Sequence, residues 1–131
     1  MKLLLDTHTL LWHAGGHPQM SVTATSLIGD PGNELFISMA TVWEIAIKVG
    51  RKKLTLSAPY ATYIQRAITG YGLIVLPITT DDCVRYESLP FPDPQHRDPF
   101  DRMIITHSLR DALTIVGVDA SFDSYGVTRL W

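Results

Sequence analysis

The strongest constraint on this chain is a set of short, unbroken apolar runs, each separated from the next by segments with helical spacing. Leu3-Leu4-Leu5, Leu35-Phe36-Ile37, Leu73 to Leu76 and Ile115-Val116 are the runs. A strand with one wet face alternates apolar and polar residues. A strand that is apolar throughout is covered on both faces, as in a parallel sheet held between helical layers. The intervening segments supply those helices. One passes through Leu10, Leu11 and Trp12 and stops at Gly15-Gly16. A second runs from Ser21 to about Ile28 and ends at Gly29-Asp30-Pro31-Gly32. Ser38 is placed to cap a long helix that ends at Gly50. Tyr60, Tyr63, Ile64, Ala67 and Ile68 fall at helical spacing. Asp81 to about Ser88 reads as a short helix, Pro90 to Pro94 as a loop, and Pro99 to about Leu113 as another helix. Val127 to Leu130 reads as a short fifth strand. The expected fold is a three-layer α/β/α sandwich around a parallel sheet of four to five strands, one domain over residues 1–131.

Composition excludes several classes. With 46% hydrophobic and 18% charged residues, the chain can bury a core and is not disordered. No segment reaches the roughly 20 apolar residues of a membrane span. The single cysteine, Cys83, forms no internal disulfide, and the first apolar run is too short for a signal peptide; both point to a cytoplasmic setting. A net charge of −2 does not announce a nucleic-acid binder. Even so, Lys48, Arg51, Lys52 and Lys53 cluster at the end of one helix, where they either face solvent or grip a polyanion's backbone.

The acids carry the chemistry. Asp6 closes the first strand, and Asp119 follows the fourth in "TIVGVDASFDSYG". Each serves as a cap or turn residue on the simplest reading. Asp98 precedes Pro99, the pattern of an N-cap followed by Pro at the first helical position, and Asp101 then lies in the first turn. Glu44 sits in "SMATVWEIAIKVG", amid core residues, with Lys48 four positions on as an ion-pair partner. Taken together, these residues gather at one rim. In a parallel α/β sheet the C-terminal ends of strands and the N-terminal ends of helices share that rim, and ligands bind there. Four carboxylates so placed would repel one another, and an oxygen-only set around an open cleft suits Mg²⁺ or Mn²⁺. The metal set is Asp6 and Asp101, with Glu44, Asp98 and Asp119 as further candidates. His96, Arg97 and Arg102 join the basic cluster as candidates for substrate phosphates. No zinc site is expected, because Gly15-Gly16 break the helix between His13 and His17.

Four segments, "LLLDTHTLLW", "SMATVWEIAIKVG", "HRDPFDRMII" and "IVGVDASFDSYGV", ordered along nearly the whole chain, resemble the PIN-domain family of metal-dependent ribonucleases. More narrowly, they resemble the VapC-type toxins of toxin–antitoxin pairs. The resemblance carries an acidic quartet over to Asp6, Glu44, Asp101 and Asp119. It implies endoribonuclease action on RNA, often tRNA or rRNA, in which water activated by Mg²⁺ or Mn²⁺ hydrolyses a phosphodiester. It also implies a homodimer and a cognate antitoxin whose tail blocks the cleft. One departure stands out: family members often carry Thr or Ser two residues before the fourth acid, and here that residue is Gly117.

Two other readings fit parts of the chain. A haloacid-dehalogenase-like phosphatase would use Asp6 as nucleophile in Asp-x-Asp-x-Thr, but Asp6-Thr7-His8-Thr9 lacks the second Asp and leaves Glu44 and Asp101 idle. An α/β interaction module would use the acids only as caps and pairs.

Overall fold

A computed structural model describes residues 1–131. The elements follow in the order β1 (Lys2–Leu5), α1 (Thr7–Gly15), α2 (Val22–Gly29), β2 (Glu34–Ser38), α3 (Met39–Gly50), α4 (Tyr60–Gly70), β3 (Ile74–Leu76), α5 (Thr80–Glu87), α6 (Pro99–Asp111), β4 (Thr114–Val116), a 3₁₀ turn (Ala120–Tyr125) and β5 (Arg129–Leu130). The five strands form one all-parallel sheet in the order β3-β2-β1-β4-β5. The expected sandwich is therefore present, with the fifth strand reduced to two residues.

The apolar runs are covered on both faces, as their composition requires. Leu3 and Leu5 pack with Leu35, Ile37 and Val116 against Leu10, Ala24, Ile28, Ile45, Ile64 and Ala67, which come from α1 to α4. Leu4, between them, points the other way and packs with Ile115 against Ile104, Ile105 and Phe122. Successive strand residues alternate faces, so three consecutive leucines tie β1 to both helical layers. No helix is long and apolar enough to cross a membrane.

Chain connectivity places the site. β1 lies in the middle, the chain winds outward to β2 and β3 on one side, and it returns to β4 and β5 on the other. The winding direction thus reverses between β1 and β4, and a crevice opens beyond their carboxyl ends. Asp6 follows β1 there and gives its backbone N–H to the Val116 carbonyl of β4. Thr9 Oγ1 donates to the same carbonyl at 2.8 Å, pinning the start of α1 to the end of β4. On the far face, Asp82 of α5, buried, accepts from Arg110 and faces His107 of α6, which locks these two helices together.

Candidate active site

Three aspartates at this crevice each cap a helical turn with one carboxylate oxygen. Asp6 Oδ1 accepts the Thr9 backbone N–H at 2.7 Å and caps α1. Asp98 Oδ1 accepts from Asp101 N at 2.8 Å and caps α6, with Pro99 at its first position. Asp119 Oδ1 accepts from Ser121 N at 2.9 Å and caps the 3₁₀ turn. The capping reading of all three is correct, and it leaves the Oδ2 oxygens for other work. Glu44 is buried and fully partnered: Oε1 accepts from Thr7 Oγ1 and Oε2 from Lys48 Nζ, both at 2.7 Å.

Asp101 lies at the centre of this charge. Its carboxyl is pushed up to about 7 from the usual 3.8. Burial is the largest cause, the Asp98 carboxylate the next, and Glu44 adds to the rise, while the His96 hydrogen bond and charge pull the other way. Asp6 is also raised, first by burial and further by Asp119, against the hydrogen bonds from Thr9. One donor atom each from His96, Asp101 and Asp119 lies within 4.8 Å of the others. Asp6 and Glu44 border this group and are felt by it, Asp6 through Asp119 and Glu44 through Asp101. An oxygen-rich set carrying more negative charge than the site holds easily suits a hard divalent cation, so the residues present fit Mg²⁺ or Mn²⁺.

Gly117 occupies its position for space. A Cβ built there would come within 2.9 Å of Asp6 Cγ, so the Asp6 carboxylate occupies the room a side chain would need. The hydroxyl that family resemblance leads one to expect is absent, and the Asp6 carboxylate lies where such a side chain would begin.

The basic residues divide. Arg51, Lys52 and Lys53 are exposed at the end of α3, and Lys52 has a left-handed backbone. Lys48 is bound to Glu44, and with Lys53 and Trp12 it borders a cleft of about 540 Å³ beside α1. Arg97 is exposed, its Nε held by the Pro94 carbonyl. Arg102 corrects the sequence reading. It is 1% exposed, donates to the Leu89 and Pro90 carbonyls, and lies 3.6 Å from the Phe91 ring centre, so it cannot reach a substrate phosphate. His96, another candidate for a substrate phosphate, has a side chain only 9% exposed that faces Asp101. Tyr125, which sequence reasoning missed, stands behind it.

A family model for the PIN domain matches residues 3–127. The chain belongs to the PIN-domain family. Solved structures share the fold over nearly the full length. VapBC2 of Rickettsia felis, bound to a promoter DNA fragment, is 16% identical with a TM-score of 0.72 over 99% of this chain and 98% of that one. VapC20 of Mycobacterium tuberculosis, a sarcin–ricin-loop-cleaving toxin, is 17% identical with a TM-score of 0.68 over 96% of both. VapBC-1 of nontypeable Haemophilus influenzae is 17% identical with a TM-score of 0.66 over 99% of this chain and 97% of that one. No curated protein sequence matches this PIN-domain chain.

Proposed function

We propose that this chain is a divalent-metal-dependent endoribonuclease, the toxin of a toxin–antitoxin pair. One observation carries the reading. At the switch point of the sheet, Asp101 is half-buried and crowded by Asp98 and Glu44, which together push its carboxyl up to about 7, and Asp119 adds a further carboxylate close by; a cation relieves that excess of charge. Caps and ion pairs alone need no such crowding, which speaks against a mere interaction module. The phosphatase reading falls with membership of the PIN-domain family.

The residues divide the work. Asp6, Asp101 and Asp119 hold the cation, Mg²⁺ or Mn²⁺. Glu44, kept in place by Lys48 and Thr7, adds negative charge beside them. Asp98 shapes the presentation of Asp101 through the helix cap. When bound, the cation neutralises a phosphate and acidifies water for attack on phosphorus. Arg51, Lys52 and Lys53 bind the RNA backbone beyond the notch.

The substrate is RNA of the tRNA or rRNA class, and the partner is a cognate antitoxin. Cleavage of the sarcin–ricin loop by VapC20 supports the first, and the VapBC complexes support the second. The working form is a homodimer in the cytoplasm. The exposed Trp43, which packs against Phe100 beside an apolar hollow of about 300 Å³, supports a second copy docking there. Sedimentation at micromolar concentration tests this, and a persistent monomer would count against it. The test of the activity is RNA cleavage that requires Mg²⁺ or Mn²⁺ and stops in EDTA.

A further inference from the structure

His96 has a setting that an all-carboxylate site does not use. Its Nε2 lies 3.1 Å from Asp101 Oδ2, and its Nδ1 lies 3.0 Å from Tyr125 Oη. Arg102 Nη1 donates to the same Tyr125 oxygen at 3.1 Å, held there by its bonds to Leu89 and Pro90. Tyr125 therefore carries one fixed incoming donor and has one proton of its own to place. Two acceptors lie in reach, His96 Nδ1 at 3.0 Å and the His96 carbonyl at 3.4 Å. With the Tyr125 O–H donating to Nδ1, His96 carries its proton on Nε2 and donates Nε2–H to Asp101. With the Tyr125 O–H donating to the His96 carbonyl, Tyr125 accepts from Nδ1–H, and Nε2 turns a lone pair toward Asp101 Oδ2. Two acceptors facing each other need a proton or a metal cation between them. The second acceptor of Tyr125 is what allows the ring to change tautomer without leaving a polar group unpaired.

We propose that His96 is a nitrogen ligand of the cation in the notch, alongside Asp101 and Asp119, with Tyr125 and Arg102 fixing its ring. The inference rests on the metal-dependent reading of this site and adds a ligand to it. Three observations support it. The donor atoms lie within 4.8 Å of one another, close to the roughly 3–4 Å that separates neighbouring ligands around an ion bound at about 2.1 Å. The ring is nearly enclosed, so its aim is set by packing. The far nitrogen has the partner that a ligating imidazole ordinarily has. Arg102, expected from the sequence to meet a phosphate, thus acts on the site through Tyr125. The consequence is selectivity: an imidazole among carboxylates favours Mn²⁺ over Mg²⁺ more than oxygen ligands alone do.

The test uses the full chain, stripped with EDTA and titrated with Mn²⁺. Binding is read from the loss of the free-ion EPR signal, and the ligand atom from nitrogen modulation in pulsed EPR. The wild type should show modulation from one imidazole. His96→Gln should lose it and bind Mn²⁺ at least about tenfold more weakly, while Tyr125→Phe should keep it with weakened binding. Mn²⁺ bound to the wild type without nitrogen modulation would overturn the inference and reduce His96 to a hydrogen-bond donor to Asp101. Modulation that survives in His96→Gln would overturn it too. Parallel RNA cleavage separates the two readings: cleavage without modulation sinks this inference alone, while no Mn²⁺ binding and no cleavage sink both. The wild-type measurement stands whether or not a variant folds.

Discussion

Replacing Asp101 by Asn removes a strongly disfavoured charge while keeping shape and hydrogen-bonding capacity. In the folded chain this carboxyl ionises near 7, against 3.8 for an unburdened Asp, so ionising it costs more in the fold than in the unfolded chain. A difference of about three pH units, at 1.36 kcal/mol each, gives about 4 kcal/mol. The side chain is 26% exposed, and solvent screens part of that, which leaves about 2–3 kcal/mol. The sign follows from the direction of the shift. This group's contribution is fully favourable below about pH 4 and is lost as the pH rises toward 7. In EDTA, the metal-free Asp101→Asn protein should therefore be more stable than wild type by about 2–3 kcal/mol near pH 8, a gap that narrows by more than half near pH 5. Urea melts at the two pH values measure it, and a cleavage assay in Mn²⁺ should show the same variant inactive. A variant less stable than wild type near pH 8, or a gap that does not change with pH, would refute the charge-crowding argument.

Other substitutions separate cap from site. Asp98→Ala should cost about 1 kcal/mol in a urea melt through loss of the α6 cap, while Asp98→Asn, which can still cap, should be nearly neutral and more active than Asp101→Asn. Gly117→Ser restores the hydroxyl common in the family, yet it should lower the cleavage rate by about 100-fold by displacing the Asp6 carboxylate; an active variant would show that Asp6 has room to move. Changing Lys52 and Lys53 to Ala should flatten the dependence of RNA binding on salt, by about 0.7 in log–log slope for each single-strand phosphate that is no longer neutralised. An unchanged slope would return those lysines to solvent.

The layers and the acids could be read from the sequence because their signals are local. Three leucines in a row state that β1 is covered twice, and Asp98 followed by Pro99 states where α6 starts. What escaped depended on the path of the loop over residues 88–98. That loop carries Leu89, Pro90 and Phe91 over Arg102 and sets His96 against Asp101, and no periodicity records where an irregular segment runs. Arg102, an ordinary polar position in helical spacing, therefore looked free when it is buried. Tyr125 gave no signal apart from its place in a polar turn. Capping and ligation are compatible demands on one carboxylate, because it has two oxygens. Asp6, Asp98 and Asp119 each cap with Oδ1 alone, so the cap takes up one of the two carboxylate oxygens. For Glu44 the pair with Lys48 and the place beside Asp101 likewise coexist.

The central claim is that these carboxylates hold a cation that cuts RNA. The direct measurement is cleavage of total RNA by the purified chain in Mn²⁺ or Mg²⁺, in EDTA, and in Mn²⁺ with Asp101→Asn. The account predicts discrete fragments in the first condition and intact RNA in the other two. Full cleavage in EDTA, or by Asp101→Asn, would contradict it.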